Sequence, residues 1–255
     1  MIFDTHAHYY DDAFDADRDA LLAQLPDKGV DLVVCPGCDL ESSRQSMALA
    51  ERYDYLYFAA GFHPENLEGV TMDRLDEIRT LCAHKKCVAV GEIGLDYYWV
   101  KTSEDRANSR DFFDAQLSLA EELNLPAIVH DRDAYKDCMD IVKAHPNVRG
   151  VFHCCALGPE DAKRAVDWGW MLSFTGNITF KNARRAPEVI SWMPLDRLML
   201  ETDAPYMAPE PYRGRRCDSS LIPLMAQTVA QLKGLTTEEV LRITLENGKR
   251  FFGME

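Results

Sequence analysis

Cations are in short supply in this sequence: 28 Lys and Arg stand against 42 Asp and Glu in 255 residues, a formal charge of −14. An average surface of that sign repels nucleic acid, whose binding draws on cationic side chains that displace counterions from phosphates. A role on nucleic acid therefore requires a local cationic site, which bound metal ions can supply. No segment approaches the ~18 consecutive apolar residues of a membrane span, and Met1 is not followed by the basic and then apolar regions of a signal peptide. A cytoplasmic location without a membrane partner is the expectation. Pro/Gly/Ser linkers, low-complexity tracts and charge blocks are absent, which argues for a single domain over residues 1–255. Neither GxGxxG nor GxxxxGK[ST] occurs, which removes the usual Gly-rich phosphate loops.

Cysteine is not scarce. Cys35, Cys38, Cys82, Cys87, Cys138, Cys154, Cys155 and Cys217 sit in a chain too long to need disulfide staples, and a reducing compartment leaves them as thiols, most of them small core residues. Cys35-Pro36-Gly37-Cys38 is a lone C-x-x-C; with no second pair to complete a structural zinc site, it reads as a turn with two thiols.

What is present is a regular alternation. Short β-rich runs occur at Ile2–His6, Asp31–Cys35, Leu56–Ala60, Val88–Glu92, Ala127–His130, Gly150–His153, Met171–Phe174 and Arg197–Glu201. Amphipathic stretches such as "MDRLDEIRTLCAHKK", "SRDFFDAQLSLAEELN" and "DAYKDCMDIVKAHPN" lie between them, with apolar residues every three or four positions. The last, "TEEVLRITLENGKRFF", follows Thr236 with Glu239 three residues on, the pattern of a capping box. Eight strand–helix units in about this length predict an α/β fold, a closed (β/α)8 TIM barrel, rather than an open doubly wound sheet.

The strand ends carry the chemistry. His6 and His8, two apart, face the same way at ~6.6 Å spacing if extended and can converge on one ion. Glu92 ends "VAVGE", His130 ends "PAIVH", His153 ends "RGVFH", and Asp203 follows in "LMLETD". In a barrel these positions gather at the C-terminal face, where such enzymes build their sites. Four imidazoles and two carboxylates exceed the three protein ligands of an open zinc site, so two ions are expected, with Glu92 the better bridge.

Taken together, "FDTHAHYYD", "GFHPE", "VGEIGLDYY", "IVHDRDA", "FHCC", "LSFTGNITF", "LMLETDAPYMAP" and "ENGKRFF" resemble the TatD family of metal-dependent deoxyribonucleases, within the amidohydrolase-like barrel superfamily, over nearly the whole chain. The resemblance implies that His6, His8 and Asp203 hold one divalent ion and His130 and His153 another, with Glu92 shared. It implies Mg or Mn in turnover, with Zn, Co or Ni suited to the imidazoles as bound ions. Catalysis would rest on Asp203 as proton acceptor, with Glu92 and with Glu201, which shares the Asp203 face and orients water or ligand. His63 would contact the scissile phosphate or fix its loop; Arg132 would position substrate or pair with a carboxylate. DNA, as single strands or 3′ ends, is the implied substrate, and no exposed apolar heptad points to a protein partner.

Two departures touch the rim. Where the family commonly shows Phe-Ser-Gly after the sixth-strand histidine, this chain has "CCALG"; where it usually reads Arg-Gly-Lys-Arg-Asn-Glu-Pro, this chain reads "RGRRCDSSL". The basic half survives as Arg213, Arg215 and Arg216, placed to meet phosphates by bidentate pairing. The rival expectations are a metal-dependent amidohydrolase or esterase on a small acyl substrate and a non-catalytic, metal-stabilised scaffold.

Overall fold

A computed structural model describes residues 1–254. Eight parallel strands run in chain order: β1 (Ile2–Asp4), β2 (Val30–Pro36), β3 (Leu56–Ala60), β4 (Cys87–Asp96), β5 (Ala127–Arg132), β6 (Gly150–Phe152), β7 (Met171–Phe174) and β8 (Leu198–Leu200). Each pairs with the next. The seam between first and last strand is closed just beyond their ends, where the Thr5 N–H and hydroxyl both donate to the Leu200 carbonyl and Ala7 bridges Ala204. The expected (β/α)8 barrel is thus present.

Among the described residues, nine α-helices surround it: α1 (Arg18–Gln24), α2 (Leu40–Arg52), α3 (Leu75–Cys82), α4 (Ser103–Leu123), α5 (Tyr135–Ala144), α6 (Pro159–Asp167), α7 (Arg185–Trp192), α8 (Ile222–Lys233) and α9 (Thr237–Phe252). Among the described residues, none is long and apolar enough to cross a membrane. The capping box expected at Thr236 and Glu239 is formed, with reciprocal bonds of 3.2 and 2.8 Å. A second one opens α2, where Asp39 accepts the Ser42 N–H at 2.7 Å.

Strand periodicity divides the core. Phe3, Val34, Ala59, Ala89, Ile128, Val151, Met171 and Met199 form one cluster with Leu245, Phe251 and Phe252 of α9; the alternate residues, such as Val33, Phe58, Val129 and Leu172, pack outward under the helices. Helix α9 comes so close to Phe3 that a Cβ at Gly248 would meet its ring at 2.6 Å. Arg149, just before β6, donates to the Phe251 carbonyl and Arg250 to that of Asp196, just before β8. The N-terminal end of the barrel is therefore sealed by α9, and the C-terminal end is left to the loops.

The largest departure from the expected strands is β4, which continues to Asp96 with an irregularity in register between Val90 and Ile93. Glu92 thus lies within a long strand rather than at its end. Strands β1, β6 and β8 instead stop early, so His6, His8, His153, Glu201 and Asp203 lie on the loops just past them.

Candidate active site

The closing seam of the barrel builds half of the site. The Asp203 N–H donates to the His6 carbonyl at 2.8 Å and the His8 N–H to Ala204 at 2.7 Å, so the segments after β1 and β8 are zipped together. Behind them lies Asp4, fully buried, which accepts the Thr202 N–H and hydroxyl at 2.9 and 2.5 Å, the Ser219 hydroxyl at 2.6 Å and the His6 N–H at 3.3 Å. Burial outweighs these bonds and pushes its carboxyl up to about 7. The "CDSS" segment, a departure from the family pattern, thereby supplies an anchor under the site.

The four expected histidine ligands face Glu92. Its Oε2 lies 3.2 Å from His6 Nε2 and 3.6 Å from His8 Nε2, with Asp203 Oδ1 closing that side at 3.3 Å from His8 Nε2 and 3.8 Å from His6 Nε2. Its Oε1 lies 2.8 Å from His153 Nε2 and 3.0 Å from His130 Nδ1. The His6 and His153 rings stack at 4.0 Å between centroids and join the two halves.

The outer contacts decide where the lone pairs point. His8 Nδ1 lies 3.3 Å from the Pro36 carbonyl, which can only accept, so the proton sits on Nδ1 and Nε2 presents a lone pair. His130 gives Nε2–H to Asp96 at 3.1 Å and likewise presents Nδ1 to the cluster. His63 is the reverse: its Nδ1 accepts the Glu65 N–H at 3.3 Å, so Nε2–H faces Glu92 Oε1 at 3.4 Å as a donor. Donors on a sphere of ~2.1 Å around a four-coordinate cation stand ~3.4 Å apart. The observed spacings and the mixed imidazole and carboxylate chemistry fit divalent-metal binding around Glu92.

Electrostatics divide the cluster: neighbouring carboxylates raise His8 and His153 against their burial. Burial alone would raise Glu92, but His153, His63 and His6 hold it well below the usual carboxylate range; the bond to His8 lowers Asp203 against its own burial. His6 and His63 are lowered by burial and neighbouring imidazoles, hence neutral. His130 is drawn the other way, to about 9, because its bonds to Asp96 and Glu92 overcome burial, so its Nδ1 carries a second proton that a bound ion would have to displace.

A family model described as TatD related DNase matches residues 3–253. The chain belongs to the TatD-related DNase family. Among its relatives, the uncharacterized metal-dependent hydrolase YabD of Bacillus subtilis is 40% identical, over 99% of both chains. The 3′-5′ ssDNA/RNA exonuclease TatD of Pantoea ananatis is 30% identical, over 99% of this chain and all of that one. The crystal structure of YjjV, a TatD homolog from Escherichia coli, superposes with a TM-score of 0.91 at 29% identity, covering 100% of this chain and 98% of the other.

Other expected residues of this TatD-family hydrolase are dispersed. Glu201 is buried behind His153, its oxygens taken at 2.5 Å by the Cys154 N–H and the Ser173 hydroxyl, and it lies 3.4 Å from His153 Nδ1. It backs the imidazole rather than opening to the mouth. Arg132 is exposed, its guanidinium 4.0 Å above the Tyr98 ring; Arg213 lies 4.1 Å over Phe180 and Arg215 5.9 Å from the Tyr212 centroid. The expected trio of basic residues does not act as one cluster, because Arg216 turns away to form a bidentate pair with Asp17 at 2.7 and 2.6 Å. In "CCALG", Cys155 packs into the core and exposed Ala156 offers no hydroxyl.

Asp96 is a site residue that motif spacing alone does not single out. Besides holding His130 it accepts the Trp99 N–H at 2.7 Å, tying the site to the aromatic rim. The available signal is its position: four residues past Glu92 in "GEIGLD", it shares the Glu92 face of a strand.

Proposed function

We propose that this chain, acting as one unit over its whole length, hydrolyses phosphodiester bonds in DNA, as an exonuclease on single strands or 3′ ends, with two divalent ions. His6, His8 and Asp203 would hold one, His130 and His153 the other, and Glu92 would bridge them. The supporting observation is the division of Glu92: each carboxylate oxygen faces its own set of imidazoles. When bound, such ions lower the pKa of water from 15.7 toward ~7 and offset charge on phosphate oxygens; Mg or Mn would serve turnover. The eight free thiols agree with a reducing, cytoplasmic setting.

The chain's own groups supply the rest. Asp203, whose side chain keeps 14% exposure against 4% for Glu92, is the open carboxylate of the cluster and accepts the proton of the attacking water. His63 offers Nε2–H to a phosphate oxygen. Glu201 orients His153, and Arg132, Arg213 and Arg215 meet the remaining phosphates, with Tyr98 and Phe180 available for stacking bases. The relative from Pantoea ananatis, named for single-stranded DNA and RNA, favours the same substrate class.

The test is turnover of a labelled single-stranded oligonucleotide. Loss of activity on chelation and in Asp203→Asn, with the fold retained by circular dichroism, supports the reading. Activity confined to acyl esters or amides would replace it with the amidohydrolase alternative.

A further inference from the structure

Cys38 is the one cysteine that joins a group of potential metal-ligating side chains among the described residues: its sulfur, a His8 ring nitrogen and a Glu92 oxygen all lie within 4.8 Å of one another. Its Sγ stands 3.8 Å from Glu92 Oε2, the oxygen that faces His6 and His8. A sulfur at ~2.3 Å and an oxygen at ~2.0–2.2 Å from a tetrahedral ion are ~3.5 Å apart, so little movement separates this arrangement from a shared ion.

The backbone holds the thiol there. The Cys38 N–H donates to Ser42 Oγ at 2.8 Å, and its carbonyl accepts the His63 N–H at 2.9 Å. The neighbouring Gly37 carbonyl accepts the Glu92 N–H at 2.8 Å. Gly37 is required for this packing: a Cβ there would stand 2.2 Å from Ser43 Oγ. Tyr10 donates its hydroxyl to Sγ at 3.2 Å and lies 3.0 Å from His8 Nδ1, so sulfur and imidazole share one buttress.

We propose that Cys38 is a thiolate ligand in the His8–Glu92 half of the site and makes that half selective for a thiophilic ion of the zinc class. On binding, the ion takes the place of the S–H proton, which leaves to solvent. The His130–His153 half, with only nitrogen and oxygen donors, keeps its tolerance for Mn or Mg. The metal centre is then chemically unequal: one ion chosen by sulfur, the other exchangeable. This rests on His8 and Glu92 being ligands, and the experiment separates the two claims.

The probe is Co2+ alone, added to chelator-stripped full-length protein. Wild type should show both visible ligand-field bands and a near-ultraviolet thiolate-to-cobalt charge-transfer band. Cys38→Ser and Cys38→Ala should lose only the latter, while Cys154→Ser keeps it. In competition, the preference for Zn2+ over Mn2+ should fall at least about tenfold in Cys38→Ser. Ligand-field bands without a charge-transfer band in wild type, or a band that survives in Cys38→Ser, would overturn the thiolate while leaving the histidine and carboxylate site standing. Absence of both kinds of band from every protein would remove that site as well.

Discussion

At the scale of single residues, the chemistry turns on which atoms point inward. Asp96 fixes the His130 tautomer by accepting Nε2–H while anchoring Trp99. Asp96→Asn should weaken the ion beside His130 about 10- to 100-fold, the usual effect of losing such a partner, with the other ion unchanged; a two-step metal titration followed by calorimetry checks this. Asp203→Ala should abolish turnover, measured on a labelled oligonucleotide, with far-ultraviolet circular dichroism unchanged. The six candidate ligands are legible in the sequence because a divalent-ion site would need such side chains at strand ends, and a parallel barrel gathers those ends in one place. Asp96, Asp4 and Cys38 are less legible because their effect depends on which neighbour they touch: a carboxylate two pleats beyond Glu92 and a thiol in a glycine turn look ordinary until the loops are placed.

At the scale of elements, periodicity finds all eight strands, and β3 and β7 match the expected limits. Composition extends β1, β6 and β8 too far, because residues with strand-like character continue past the last ladder bond into the site loops. It cuts β4 short for the opposite reason: Gly91 and Gly94 interrupt the apolar run, yet β5 continues alongside as far as Arg132. The α2 cap is the element contact with a direct consequence, since Asp39 and Ser42 also fix the turn that carries Cys38. Burial works against ionised Asp39, but bonds from Ser42 and Asn66 hold its carboxyl below the usual range. A depressed pKa contributes stability above the unfolded value of ~3.9 that is lost as pH falls through the folded value. Asp39→Ala should therefore cost about 0.5–2 kcal/mol in urea unfolding at pH 7 and much less near pH 3.

At the scale of the whole molecule, a charge of −14 must be reconciled with the proposed polyanionic substrate. Ions at the centre and Arg132, Arg213 and Arg215 at the rim would supply the opposing charge. Arg132→Ala should raise KM for oligonucleotides with little change in kcat, and reduce the slope of log affinity against log salt by about 0.7 for each phosphate that is no longer neutralised. Because donors from both ends of the chain meet at the seam where β1 and β8 close, ions bound there should also stabilise the fold as a whole: chelation should lower Tm, and added Mn or Zn should restore it. The most direct measurement is anomalous diffraction from crystals soaked in Zn and Mn together, recorded at both absorption edges. Two peaks about 3.5–4 Å apart, one on each side of Glu92, are predicted, with both absent from Glu92→Ala. A single ion, or peaks that persist at the same positions without the Glu92 carboxylate, would contradict the shared-carboxylate centre.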